Sequence, residues 1–270
     1  MMKLSRPQFI SINIGNTHIS ISHSNEKILR HSHLNYLELV ATLKQWLHNH
    51  KDTFILSCSV VSDKDIQSRY IEVFNLLTTF PHKLDYRSNW QSQQSKKSFF
   101  SMPVHYAETL GMDRLIQAYF LWKNLKQQNL QLGLMIDAGT MTTIDVVSLR
   151  EGFLGGYILP GIDRYAEIFQ VSQKLPLKKE LLPLLTGTTP RTLPATTTQA
   201  ISYAYWHSNI ALLQQLHSHF SIETITISGG NAQNWANNME IWKKSIVIDP
   251  LFPHRALWQI GEDMLELSSI

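Results

Sequence analysis

The sequence predicts an α/β protein built from two similar half-domains, and three observations carry that expectation. A strand, a glycine turn and a second strand occur twice. Ile12-Asn13-Ile14-Gly15-Asn16-Thr17-His18-Ile19-Ser20-Ile21 alternates polar and apolar residues about its turn. Ile136-Asp137-Ala138-Gly139-Thr140-Met141-Thr142-Thr143-Ile144-Asp145 repeats the pattern 124 residues later, close to half of the 270-residue chain. After each hairpin, strand-like and helix-like segments alternate. No long linker interrupts them, so the expected halves are 1–112 and 113–270.

The elements follow in order. After the first hairpin, Lys27 to His33 reads as a strand, and Tyr36 to His48 as a helix with Leu37, Val40, Leu43 and Leu47 at helical spacing. Phe54 to Val61 is an apolar strand. Asp63 to Leu77 is a helix with Ile66, Tyr70, Val73 and Leu77 on one face. After Asp113 comes the helix carrying Ile116, Phe120 and Leu121, and then the apolar strand Leu132 to Ile136. Beyond the second hairpin, Phe153 to Tyr157 is short and glycine-rich, and Ile162 to Gln170 is helical. Thr197 to His219 forms a long helix with Ala200, Ala204, Ile210, Leu213 and Leu216 inward. Glu223 to Ile227 is a strand closed by Ser228-Gly229-Gly230-Asn231. Lys244 to Ile248 and Ala256 to Leu267 add a last strand and helix. Ser88 to Ser101, rich in Ser, Gln and Lys, and Lys174 to Pro194, with four prolines, read as loops outside the core.

Composition narrows the function. With 43% hydrophobic and 17% charged residues the chain is long enough for one large core or two modest ones, which excludes disorder and coiled coil. A formal charge of +3 is spread along the chain, with no basic stripe of the kind a nucleic-acid groove needs. One cysteine, Cys58, excludes an internal disulfide and a multi-thiolate zinc site and points to the reducing cytoplasm; within its apolar strand it reads as a small buried hydrophobe. No run approaches the ~18 apolar residues of a membrane span, and no secretory signal is recognisable.

Three glycine turns at strand ends, Gly15-Asn16-Thr17, Gly139-Thr140 and Gly229-Gly230-Asn231, would hold phosphate oxygens on backbone N–H groups if gathered round one cleft; singly, each is an ordinary tight turn. Neither a P-loop nor a Gly-x-Gly-x-x-Gly dinucleotide motif occurs. Asp137, closing an apolar strand, is placed to reach a cation at the strand's carboxyl edge. Asp113 opens a helix and has two readings: an acid stabilised by the helix dipole, or a carboxylate that takes a hydroxyl proton in phosphoryl transfer. Arg114 next to it can clamp an acceptor's carboxylate. The paired histidines His31/His33, His48/His50 and His217/His219 lack an acid triad and read as solvated. Ser57 and Ser59 lack a nucleophile elbow, and Trp122, Trp206 and Trp258 read as core or interface residues.

Taken in order, five motifs resemble the type III pantothenate kinases, relatives of the Bvg accessory factor. Asn13-Ile14-Gly15-Asn16-Thr17 is similar to that family's Asp-x-Gly-Asn-Thr, Gly111-Met112-Asp113-Arg114 to its Gly-x-Asp-Arg, and Asp137-Ala138-Gly139-Thr140 to its Asp-Ala-Gly-Thr. Gly155-Gly156-Tyr157-Ile158-Leu159-Pro160-Gly161 and Ser228-Gly229-Gly230 match its later glycine segments. The resemblance implies a duplicated actin-like, ribonuclease H-like ATPase fold around a central nucleotide cleft. It also implies a homodimer that uses ATP, Mg2+ and a monovalent cation, K+ or NH4+, to phosphorylate pantothenate in coenzyme A synthesis. On that resemblance Asn13, Ile14, Gly15, Asn16, Thr17 and Thr140 would hold ATP, Asp113 would accept the proton and Asp137 would bind the monovalent ion. Tyr106, Gly111, Met112, Asp113, Arg114 and Thr197 would line the pantothenate pocket.

This chain departs from the family pattern at Asn13, where a neutral amide replaces a carboxylate that would help hold Mg2+. Ala204 stands where glycine is frequent, and Tyr106 is offset relative to Gly111. Two alternatives remain open at this level: a catalytically silent nucleotide-binding accessory protein, and a kinase of the same fold with a sugar or acetate acceptor.

Overall fold

The computed structural model describes residues 8–15, 17–23, 28–32, 36–49, 53–59, 64, 71–73, 75, 83–87, 90–93, 96–107, 109–171, 175–190, 192–239 and 245–267. The chain forms two compact units, Met1–Phe120 with Leu251–Ile270, and Leu121–Pro250. The final helix thus belongs with the first unit, whereas the sequence reading cut the chain once, after residue 112.

In the first unit, strands β1 (Phe9–Ile14), β2 (His18–His23) and β3 (Ile28–Ser32) form an antiparallel meander, and β4 (Phe54–Ser59) adds parallel to β1, in the order β3-β2-β1-β4. Alternation in β1 sends Ile10, Ile12 and Ile14 to one face, where they pack with Ile19, Ile21 and the inner residues of helix α1 (Tyr36–Asn49): Leu39, Val40, Leu43 and Leu47. Leu37, expected on that face, is exposed. Phe9 and Ser11 point the other way and are buried as well. Beneath them lies the chain's last helix, which approaches closely because residue 261 is glycine: a Cβ there would sit 2.5 Å from Phe9 Cε1 and 3.0 Å from Leu56 Cδ1. The expected helix of 63–77 lies mostly outside the described residues; those described within it, 64, 71–73 and 75, are helical.

The stretch read as a loop at 88–101 is a three-stranded antiparallel ribbon, β5 (Trp90–Gln93), β6 (Lys96–Phe99) and β7 (Met102–Pro103). Its polar composition conceals the anchors: Phe99 is fully buried, and Met102 with it. Helix α2 (Met112–Gln128) follows, burying Leu115, Ile116, Ala118 and Tyr119 before the first unit ends inside it.

The second unit repeats the order. Strands β8 (Leu132–Ala138), β9 (Met141–Ser148) and β10 (Gly152–Pro160) form an antiparallel meander, with β11 (Thr224–Ser228) and β12 (Ile246–Ile248) parallel on the other side, giving β10-β9-β8-β11-β12. The short glycine-rich segment expected at 153–157 is thus a nine-residue strand with a bulge at Gly155, whose φ is 115°. Helices α3 (Ile162–Ile168), α4 (Lys178–Leu185), α5 (Thr197–Phe220) and α6 (Ala232–Asn238) complete the unit.

Helix α4 corrects the reading of 174–194 as loop. Pro183 sits inside the helix, and Leu181 and Leu185 are fully buried. On α5, Ala200 and Ala204 are exposed, and the inward face is Ile201, Tyr205, Trp206, Asn209, Leu213 and Leu216. The aromatic pair decides the phase: Trp206 packs edge-on to Trp235 of α6 at 5.4 Å and donates from Nε1 to Leu185 O at 3.0 Å.

Candidate active site

In the first unit the polar groups collect where β1 and β4 end side by side. Register places Asn13 beside Cys58 and Ile14 beside Ser59, and Asn13 is partly buried. Gly15 N–H donates to His18 O at 2.9 Å, closing the turn, and Thr17 Oγ1 lies 2.9 Å from His18 Nδ1. Asn16 lies outside the described residues.

Cys58 is fully buried, as its sequence context implied, and burial pushes its thiol well above the ordinary value. The charge of Asp113 raises it further, so the start of α2 reaches the end of β4 electrostatically. Tyr86, also buried, donates its hydroxyl to Ser57 O at 2.8 Å and packs edge-on to Phe99.

Gly111 and Asp113 are tied by local geometry. Leu115 N–H donates to Gly111 O at 3.1 Å, the first bond of α2, and a Cβ on residue 111 would sit 2.5 Å from Asp113 Oδ1. Glycine is therefore what lets the carboxylate fold back over the helix start, where it accepts from the backbone N–H of Arg114 and from its own. Those bonds and the Arg114 charge favour ionisation, yet burial outweighs them and the Asp113 pKa is raised. Asp113 thus satisfies first-turn donors, as its helix-start reading expects, and burial lets it hold a proton at higher pH than a free carboxylate. Met112 is partly buried beside it.

Arg114 is 4% exposed, with its guanidinium carbon 5.1 Å from the centroid of the Tyr106 ring. Tyr106 is carried by the segment after β7, whose backbone is held by Lys97: Lys97 Nζ donates to Tyr106 O at 2.9 Å, and Val104 N–H donates to Lys97 O at 2.9 Å. Lys97 and Tyr86 were missed in the sequence, the first inside a polar stretch and the second between short segments without periodicity.

In the second unit, the sequence-predicted turns Gly139-Thr140 and Gly229-Asn231 meet at one edge, where β8 and β11 end in parallel and Asp137 pairs in register with Ser228. Asn231 N–H donates to Ala138 O at 3.0 Å, Gly139 N–H to Met141 O at 3.2 Å, and Gly161 N–H to Thr140 O at 3.1 Å. Gly229 has φ 88°, and a Cβ there would sit 2.6 Å from the Ala138 carbonyl; a Cβ on Gly161 would overlap the carbonyl oxygens of Gly139 and Thr140. Asp137 and Thr140 are partly buried at this edge. Thr197 opens α5 and is exposed, behind the cap in which Thr196 Oγ1 accepts from Gln199 N–H at 3.2 Å. Among the described residues no three His, Cys, Asp or Glu side chains converge on a metal position, and no helix is long and apolar enough to cross a membrane.

Two α/β units, each an antiparallel meander with a parallel strand beside it and a glycine-built turn at the edge where its parallel strands end, define a duplicated actin-like fold. Comparison with known proteins narrows the class. A family model described as type III pantothenate kinase matches residues 9–219. A type III pantothenate kinase of Flavobacterium johnsoniae is 31% identical over 144 residues, 49% of this chain and 53% of that protein, so the chain spans about half the length of this relative. One from Helicobacter pylori is 28% identical over 224 residues, 82% of this chain and 78% of that protein. A crystal structure from Campylobacter jejuni, described as a Baf family transcriptional activator, superimposes with TM-score 0.61 at 20% identity, covering 95% of this chain and 99% of that one. The chain belongs to the type III pantothenate kinase family.

Proposed function

We propose that the protein transfers the γ-phosphoryl group of ATP to the primary hydroxyl of pantothenate, giving 4′-phosphopantothenate, the first step of coenzyme A biosynthesis. The observation that carries this reading is the Asp113 carboxylate, folded over Gly111 with a raised pKa and followed by a buried, ring-stacked Arg114. Asp113 takes the acceptor's proton. The transition state of phosphoryl transfer is loose, so the proton leaves late and a positioned carboxylate suffices. Arg114 and Tyr106, with Gly111 and Met112, take the pantothenate, the guanidinium pairing with its carboxylate. The Asn13 to Thr17 turn holds ATP through backbone amides and hydroxyls.

A divalent ion accompanying ATP would neutralise phosphate charge. The residues fit an ion bound chiefly by the nucleotide, since Asn13 supplies an amide oxygen and no carboxylate cluster is present among the described residues. Asp137, a hard oxygen ligand at a strand end, suits K+ or NH4+. A homodimer in the cytoplasm completes the reading, supported by exposed Tyr157, Ile158, Ile168 and Leu177 on the second unit and by the single, buried Cys58.

Purified protein given ATP, Mg2+, K+ and pantothenate should yield phosphopantothenate, and Asp113→Asn should abolish most of it. Absence of product from wild-type protein that binds ATP refutes the proposal. Asn13 favours one second reading, a nucleotide-binding accessory protein without turnover, and its mark would be inactivity that Asn13→Asp does not rescue.

A further inference from the structure

We infer that Lys97 is a positioning residue for the acceptor pocket, fixing Tyr106 against Arg114 from the β5–β7 ribbon; this rests on the pocket assignment proposed above. The ribbon's three strands place Lys97 on the middle one, β6. Its main-chain carbonyl and its ammonium both engage the strand that leads to Tyr106, accepting from Val104 N–H and donating to Tyr106 O, each at 2.9 Å. A bond from an ammonium is stronger than one between neutral groups, and two anchors on one residue fix both height and direction of the backbone at 106. From there the Tyr106 ring reaches the Arg114 guanidinium at 5.1 Å, next to Asp113 along α2.

The ribbon is itself held in place, so the anchor transmits a fixed position. Phe100 adopts φ 51°, a conformation unfavourable for a bulky residue, and its ring stacks on Tyr119 of α2 at 5.0 Å and 25°. Phe99 packs edge-on to the same Tyr119 at 5.5 Å. Thus one face of α2 carries the ribbon through Tyr119 and the ribbon carries Tyr106 back to Arg114. Lys97 closes that loop, with no atom of its own on the acceptor. An arginine could keep the donor; a methionine keeps the length and loses it.

Two measurements test this. In 1H–15N spectra the Arg114 Nε–H signal, assigned with Arg114→Lys, reports the ring current of Tyr106. Lys97→Met should move it toward its position in Tyr106→Leu, and Lys97→Arg should return it. In kinetics, Lys97→Met should raise the KM for pantothenate about tenfold, in line with the loss of one charged hydrogen bond, with kcat and the KM for ATP within about twofold. An unmoved Arg114 signal in Lys97→Met, or kcat and both KM values changing together, overturns the inference. The spectral result is independent of turnover, so an inactive wild type would sink the proposed function while leaving the Lys97 test readable.

Discussion

The buried His254 makes stability depend on pH in a direction and amount the structure sets. It lies at the start of helix α7 (Phe252–Leu267), 1% exposed, with Nδ1 2.8 Å from Ser11 Oγ on β1 and Nε2 3.0 Å from Ser20 Oγ on β2. Ser11 Oγ lies 3.3 Å from Ser22 O, to which it donates, so the neutral ring completes a bridge from the helix to the hairpin that carries Asn13 and Gly15. Burial lowers its pKa from 6.5 to about 4. The unfolded chain therefore binds a proton that the folded one refuses between those values. The stabilisation is complete above about pH 6.5 and lost as pH falls through 4. The interval from 6.5 down to about 4, at about 1.36 kcal/mol per pH unit, is ~3 kcal/mol in all, of which about 2 kcal/mol falls between pH 7 and pH 5. Hydrogen exchange of the Ile10, Ile12 and Ile21 amides, corrected for intrinsic rate, reads it in place. From pH 7 to 5, wild-type protection should fall by about that amount more than the protection of His254→Gln, which lacks the titrating ring. Both proteins keep the buried His23, so the difference isolates His254. Equal slopes in the two would refute the reasoning.

Other outcomes follow from the same geometry. Asp113→Asn should lose nearly all phosphoryl transfer yet raise the Tm at neutral pH. The folded pKa of Asp113 is raised, so its favourable term exists below the unfolded value of ~4 and is lost as pH climbs through the folded one, leaving a charge that is costly to bury. By the same shift, the acid limb of the kcat/KM profile should have its midpoint above ~4, and a midpoint at or below that value would remove Asp113 as the titrating base. Gly161→Ala should destabilise by roughly 2 kcal/mol in urea titrations and weaken ATP binding measured by calorimetry, because its Cβ meets main-chain oxygens that have no free direction to move. Asn13→Asp should lower the Mg2+ concentration needed for half-maximal turnover several-fold; an unchanged requirement would show that the ion never depended on this position.

What the sequence made legible, and what it hid, divides along contact range. The repeated hairpins, the parallel strands beside them and the turns at Gly139 and Gly229 rest on local periodicity and on residue types that allow close approach, and both are written in adjacent letters. The helix phases of α1 and α5 were less secure, because Leu37, Ala200 and Ala204 suit either face. Trp206, too large to leave outside, fixes the phase of α5 through its contact with Trp235, a partner distant in the sequence.

The supports of the site are the least legible, since their partners are distant or main-chain. His254 meets Ser11 across 243 residues, and Lys97 answers a carbonyl, which every residue possesses and no composition reveals. A Ser-, Gln- and Lys-rich segment looks solvated until Phe99, Phe100 and Tyr119 are seen to bind it to a helix. The chemistry-bearing Asp113 is readable because its role demands a particular letter after a particular glycine. The residues that hold its neighbours still need only reach and one good bond, and many sequences supply those.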